Sequence, residues 1–369
     1  MDKKIKTLKD LVPQASEEVL RDLLESTGGS VAKVRKLLGH RSPTSSLKPS
    51  ANTRQVTLAR FMLNAPPPPT LKQGQTLHLY DPADVEKTLP CTLHLDVFPE
   101  DLATRLLTSL LEESHAWPPN TFHMFDRACE SAHQSAFYSG EKDGHQTKHT
   151  YNGKVLTSSF MFSKDMDAAR QIVEETVNRE IERRGHIKYQ SRNRWRSNAA
   201  VCNRYEGPRS SVGYHSDQLT HLGPACVIAS VSLGVTREFR LRRRQYPAAA
   251  KYGVLESAVA SVHVPHNSLI IMHAGCQEQY KHTLAPAARG VLAPHAVAGS
   301  VRINITYRDY REEFAMEKNP ICECKNPMIL RTIRGEDETD DYGYRYAWIC
   351  GSSYQGQPSC KTIYFPSFE

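Results

Sequence analysis

Nowhere in the 369 residues is there a run of about 18 apolar side chains, so the sequence offers no helix of bilayer length. The opening MDKKIKTLKD lacks the apolar core of a secretory signal, and an intracellular protein is the expectation. Neither charge sign is scarce: 47 basic residues stand against 40 acidic ones, a net of +7. So small an excess suits a polyanionic partner only where the cations cluster. Cysteine is sparse through most of the chain. Five of the nine fall singly between Cys91 and Cys276, which in a reducing compartment reads as free core thiols. The other four, Cys322, Cys324, Cys350 and Cys360, crowd the end and are candidate metal ligands. What is present, 39% hydrophobic and 24% charged residues, is the composition of a soluble globular protein of two or three units.

The pattern divides the chain into four parts. In 1–39, Leu8, Leu11 and Val12 precede Pro13, Ser16 can cap a helix carrying Val19, Leu20, Leu23 and Leu24, and Gly28-Gly29 stops it. A third helix with Val31, Val34, Leu37 and Leu38 follows. Such a small three-helix bundle resembles the CUE/UBA ubiquitin-binding modules, which implies ubiquitin or ubiquitylated proteins as partners. Residues 40–75 turn to Ser, Pro, Asn and Thr and read as a disordered linker. Within it Gln55, Leu58, Phe61 and Met62 resemble a sliding-clamp-binding peptide. From 76 to 316 two helical periods, Leu102 to Leu111 and Ala169 to Ile181, precede strand-like runs at 199–205, 225–233, 237–242, 268–273 and 301–307. Residues 317–369 form a cysteine-rich tail. The fold class expected is α+β multidomain, with an antiparallel β-core backed by helices.

One constellation stands out in the core. His215 and Asp217, one residue apart on an extended segment, project to the same face, and His282 follows on a distant strand. Two imidazoles and a carboxylate hold a redox iron while leaving its opposite face open. Residues 301–308 alternate, so Arg302, Asn304, Thr306 and Arg308 share one face and Val301, Ile303, Ile305 and Tyr307 the other. Two arginines on an inward polar face need an anion, and a dicarboxylate supplies one. Asn203 and Tyr205 alternate likewise and can donate to the same ligand.

The segments NRYEGPRSSVGYHSD, IASVSLGVTREFRLR, CQEQYKHTLAP and RINITYR resemble, in order, the AlkB family of Fe(II)- and 2-oxoglutarate-dependent dioxygenases. The resemblance implies a double-stranded β-helix (jelly-roll) core. It also implies His215, Asp217 and His282 as catalytic iron ligands, and Asn203, Tyr205, Arg302, Asn304, Thr306 and Arg308 as the 2-oxoglutarate pocket, with Arg302 on the distal carboxylate. The activity it implies is demethylation of N-alkylated bases, most simply DNA repair by direct reversal. With Fe(II) and dioxygen, 2-oxoglutarate goes to succinate and carbon dioxide while the methyl group leaves as formaldehyde. RNA demethylation, or a ubiquitin- and DNA-binding adaptor with an inert core, are the alternatives.

A base must leave its stack to reach the iron. Candidate contacts are Phe137 and Tyr138 as stacking surfaces, Gln218, which stands where many DNA-repair members carry an acidic residue, and Arg242 and Arg244. A second basic stretch holds Arg192, Arg194, Trp195 and Arg196. Four thiolates suffice for one tetrahedral Zn(II). With Arg331, Arg345 and the aromatic residues around them, the tail resembles a GRF-type zinc finger, which implies binding to a single strand. The expectation is a monomer that binds DNA or RNA and no membrane, located in the nucleus, with the cytoplasm as a further option.

Overall fold

The computed structural model describes residues 2–11, 24, 31, 76–124, 127–139, 150–151, 154–155, 159–244, 259–287, 292–334, 344–352 and 360–368. Of the head, helix α1 (Asp2–Leu11) is present and buries Ile5 and Leu8. The second and third helices expected there, the linker and the clamp-like peptide at Gln55 to Met62 lie outside the described residues, apart from single helical positions at Leu24 and Val31.

Beyond the head the helices are α2 (Pro82–Thr88), α3 (Glu100–Glu113), α4 (Lys164–Arg184) and the short α5 (Cys276–Gln279). The strands run β1 (Thr76–Leu79), β2 (Cys91–His94), β3 (Pro119–Met124), β4 (Arg127–Ser139), β5 (Thr150–Tyr151), β6 (Lys154–Val155), β7 (Phe160–Met161), β8 (Ala199–Glu206) and β9 (Val212–His215). They continue as β10 (Ile228–Gly234), β11 (Arg237–Arg243), β12 (Val259–Val264), β13 (Ser268–Met272), β14 (Tyr280–Leu284) and β15 (Val301–Arg308), and end with β16 (Met328–Arg334), β17 (Tyr344–Cys350) and β18 (Ile363–Tyr364).

Two sheets make the core. One, in the order β2-β13-β10-β15-β8-β4-β3 with β7 added on β4, is backed by α3 and α4. The other runs β1-β12-β11-β14-β9. The helices form where the apolar period demands. Along α3, Leu102, Leu106, Leu107 and Leu110 are buried on one face, each contributing about 2 kcal/mol by leaving water. On α4, Ser163 caps the first turn by accepting from the Met166 N–H at 3.2 Å, and Gly185 ends the helix with φ of 75°. Both apolar faces meet Val301, Ile303, Ile305 and Tyr307, the outward set of β15. This strand is buried along its whole length, and it pairs with β10 on one side and β8 on the other. Its polar set therefore faces the second sheet. Close packing at its start needs glycine: Gly234 has φ of 88°, and a Cβ there would lie 2.4 Å from the Val301 carbonyl oxygen.

The tail forms its own sheet, β16-β17-β18. It groups with the core, since residues 78–252 and 260–369 make one compact unit and 1–77 with 253–259 the other. Within residues 317–369 this small sheet makes specific bonds to the core. Tyr346, Thr332 and the Leu330 N–H each engage core residues.

Candidate metal and co-substrate site

Three of the expected metal ligands meet where β9 pairs with β14, because the register sets His282 directly opposite His215. The His215 and His282 Nε2 atoms lie 3.8 and 3.5 Å from Asp217 Oδ1, and one ligand atom from each residue lies within 4.8 Å of the others. Nδ1 of His215 is 2.8 Å from the Gly213 carbonyl oxygen. A carbonyl only accepts, so the proton sits on Nδ1 and Nε2 keeps its lone pair for a metal. Burial, then the neighbouring His282, push the pKa of His215 down to about 4, which keeps the ring neutral. Burial works to raise the pKa of Asp217, but the Arg308 guanidinium that pairs with it, with His282 and His215, outweighs burial and holds the carboxyl well below its usual range. Two neutral imidazoles and one carboxylate are a fitting donor set for Fe(II).

The ligand segment is braced from α5. The Asp217 N–H donates to Gln277 Oε1 at 2.8 Å, and Ser216 Oγ donates to the Tyr280 carbonyl at 2.7 Å. Neither brace was visible in the sequence, where CQEQ is a short polar stretch like many others.

The polar face of β15 carries the second half of the site. Registers place Arg302 opposite Tyr205 and Asn304 opposite Asn203 on β8. Arg302 is 2% exposed, donates to Ser232 Oγ at 2.8 Å, and has its Cζ 5.4 Å from the Tyr205 ring centroid. Among the described residues its buried Nε has no hydrogen-bond partner. Burial, opposed by Tyr205 and reinforced by Arg237, lowers its pKa to about 10, which leaves it a cation at neutral pH. Such a buried donor edge, on a polar face shared with Asn203, Thr306 and Arg308, fits a dicarboxylate. Asn304 donates to Ser230 Oγ and the Val231 carbonyl, Thr306 donates to Asn304 Oδ1, and Ser135 donates to Asn203 Oδ1. The serines of β10 and β4 that orient these amides escaped the sequence reading, being small residues within apolar runs. Arg237 escaped it too: buried, it donates to the carbonyls of Gly207, Ser210 and Ala285 and ties the second sheet to its loops.

The expected substrate contacts divide. Phe137 lies opposite Val201, on the face of β4 and β8 that also carries Ser135 and Asn203, and stacks with Tyr310 at 6.1 Å. Tyr138 points the other way. It is 1% exposed in the helix-side core and donates to Glu113 at 2.7 Å, so the reading of it as a base-stacking surface is corrected. Trp195 is likewise a core residue, with Nε1 donating to the Val227 carbonyl. Gln218 adjoins the candidate ligand Asp217, and its buried Nε2 has no partner among the described residues. Arg242 is exposed and lies over the Tyr214 ring at 4.3 Å, while Arg244 donates to Ser216 Oγ at 2.9 Å.

In the tail, the sulfurs of Cys322, Cys324, Cys350 and Cys360 lie within 4.8 Å of one another, with Cys324 and Cys350 at 3.5 Å. Zn–S bonds of about 2.3 Å set tetrahedral sulfurs about 3.8 Å apart, so the four fit one ion.

A two-histidine, one-carboxylate triad on one sheet and a buried arginine on the polar face of the other suit an iron-dependent oxygenase that uses a 2-oxo acid. The family model described as the 2OG-Fe(II) oxygenase superfamily matches residues 90–308, and the chain belongs to that superfamily; its core is that of a dioxygenase. More narrowly, the chain is 32% identical over 112 residues to alpha-ketoglutarate-dependent dioxygenase alkB homolog 3 of Mus musculus, covering 30% of this chain and 36% of that protein. It is 32% identical over 111 residues to DNA oxidative demethylase ALKBH2 of Homo sapiens, covering 30% and 39%. The matches thus span well under half the length of these relatives. The solved structure of OsALKBH1 aligns with 60% of this chain at 13% identity and a TM-score of 0.39.

Proposed function

We propose that the protein is an Fe(II)- and 2-oxoglutarate-dependent oxidative demethylase of N-alkylated nucleic-acid bases, acting in DNA repair by direct reversal. The observation that carries the reading is the buried Arg302, with a donor edge still to satisfy, on the same polar strand as Arg308, which pairs with the metal ligand Asp217. A dicarboxylate co-substrate satisfies the first and reaches a metal held beside the second. The similarity to ALKBH2 and alkB homolog 3 supports a nucleic-acid substrate.

Iron and 2-oxoglutarate, when bound, would let dioxygen oxidise two partners at once, one oxygen atom going into succinate as carbon dioxide leaves and the other converting an N-methyl group to a hydroxymethyl group, which leaves as formaldehyde. The chain's own residues set the conditions. His215, Asp217 and His282 would hold the metal, the last two almost wholly buried and the first braced by Gly213. Arg302 and Ser232 would anchor the distal carboxylate, and Asn304 keeps its donors aimed at β10 so that Thr306 stays oriented. Phe137 lines the same inner face and offers an apolar surface for the base. Because base chemistry of this kind needs no proton moved at the methyl carbon, the absence of a paired acid and base among these side chains is no obstacle.

Zn(II) in the four-cysteine cluster would staple the small sheet of the tail. A DNA substrate would place the protein in the nucleus.

The test is incubation with iron, 2-oxoglutarate and a panel of methylated oligonucleotides, in deoxy and ribo forms, read by mass. Loss of 14 mass units, the difference of one CH2, from the deoxy strands is expected at about neutral pH. Loss from ribo strands alone would shift the substrate to RNA. No loss from any strand, with metal bound, would overturn the reading in favour of an inert core. Zinc content of the purified protein, about one per chain, tests the tail separately.

A further inference from the structure

The second sheet carries, on the face turned away from His215, Asp217 and His282, another cluster of side chains able to hold a metal. Along β11, Phe239 and Leu241 are buried, and the Phe239 ring lies 5.3 Å from that of His282. Successive residues of a strand face opposite ways, so Glu238 and Arg240 stand on the other side of the sheet. Strand β12 lies beside β11, and β1 beside β12. They bring two histidines to that same side. Nδ1 of His78 on β1 and Nε2 of His263 on β12 are 2.9 Å apart, and Ser261, two residues before His263, donates to Glu238 Oε2 at 2.7 Å. One ligand atom each from His78, Glu238 and His263 lies within 4.8 Å of the others. Three neighbouring strands thus supply two imidazoles and one carboxylate.

These side chains are oriented as ligands are. Tyr80 stacks on His263 with centroids 4.1 Å and planes 17° apart, which fixes the ring. Arg240 Nε and Nη2 donate to Glu238 Oε2 at 3.0 and 2.8 Å, joining Ser261 on that oxygen. Ligating carboxylates are commonly held by outer partners of this kind. Among the described residues no hydrogen bond falls on Oε1, which is left for a cation. Because Arg240 offsets the carboxylate charge, a hard cation gains little here, and two imidazoles select a borderline transition ion instead. Metal–nitrogen bonds of about 2.0–2.1 Å set two ligand nitrogens about 2.9–3.4 Å apart as their angle opens from about 90° to about 109°. The observed 2.9 Å meets the lower bound. With no ion between them, one imidazole donates to the other across this gap. Moving that proton to the far nitrogen of the same ring frees both lone pairs with no net change in protonation. His78 is exposed and the other two are partly so, which gives an ion and its water a way in.

We propose that His78, Glu238 and His263 form a further transition-metal site, which takes Zn(II) with water in the remaining position. The ion links the four-residue edge strand β1 to β11 across β12. Lacking thiolates, the site is weaker than the four-cysteine cluster and fills when zinc is supplied. It depends neither on the iron triad nor on a nucleic-acid substrate.

Equilibrium dialysis of the full chain against micromolar free Zn(II), followed by elemental analysis, tests the site. His78→Ala and His263→Ala are the variants, with circular dichroism to verify the fold. Wild type is expected to hold about three ions per chain, at the tail cysteines, the iron triad and this cluster, and each variant about two. Equal zinc in wild type and either folded variant would overturn the proposal. If His263→Ala does not fold, His78→Ala decides alone, because its side chain is exposed. The readout is the difference of about one ion between wild type and variant. The demethylation panel can therefore fail while this site stands, or succeed while it falls.

Discussion

The Tyr346 hydroxyl of the cysteine tail donates to the Glu278 carboxyl of the oxygenase core at 2.9 Å, and Glu278 is wholly buried. Burial raises the pKa of that carboxyl against the pull of Tyr346 and two backbone N–H groups. Its neighbour Gln277 accepts from the N–H of the candidate metal ligand Asp217. One short helix therefore meets the tail with one side chain and the candidate metal-binding segment with the next.

Tyr346→Phe should destabilise the protein by about 1–3 kcal/mol, the usual cost of leaving a buried polar group short of a partner. Denaturant melts of wild type and variant measure it. A change within error would mean that the contact between tail and core contributes little.

Gln277→Ala removes the brace on Asp217 without touching the ligands. Fe(II) affinity should fall about 10- to 100-fold, as is usual when an outer partner of a ligand is lost. Metal titration of the apoprotein, with circular dichroism to verify the fold, gives the answer.

For Arg302 the expectation concerns the co-substrate. With Mn(II) present and oxygen excluded, 2-oxoglutarate at about 100 times its Kd should stabilise wild type by about 2.7 kcal/mol. The same addition should leave the melting of Arg302→Gln almost unmoved. An equal shift in the variant would remove Arg302 from the pocket.

Asp309 supplies a pH test. Burial pushes its pKa up to about 6 from the ordinary 3.8. A carboxyl raised on folding is destabilising once ionised, so its cost is absent below about pH 4, grows as pH rises, and is complete above about pH 6. Asp309→Asn should then stabilise the protein at pH 8 by at most about 3 kcal/mol, with the gain vanishing towards pH 4. Melting curves at both pH values decide it.

How much of this was legible in the chain depends on what fixes each residue. Period-two alternation alone sorted the eight residues of β15 into a core set and a polar set, because a strand buried on both faces leaves no other arrangement. Alternation could not say which of the adjacent aromatics Phe137 and Tyr138 faces inward. That depends on the β4–β8 register, where Phe137 meets Val201. Trp195 sits in a run of arginines, yet its ring is a core plug whose Nε1 finds the Val227 carbonyl 32 positions on. Ser230, Ser232, Gln277 and Glu278 gained their roles from long-range packing, which leaves no local pattern to read.

The complete burial of β15 between β10 and β8 has a kinetic counterpart. Amides of such a strand exchange with solvent only when the whole core opens, so those of Ile303 to Thr306 should be among the last to take up deuterium. The backbone that carries the polar side chains of Arg302, Asn304 and Thr306 would then stay fixed on the time scale on which less protected segments open.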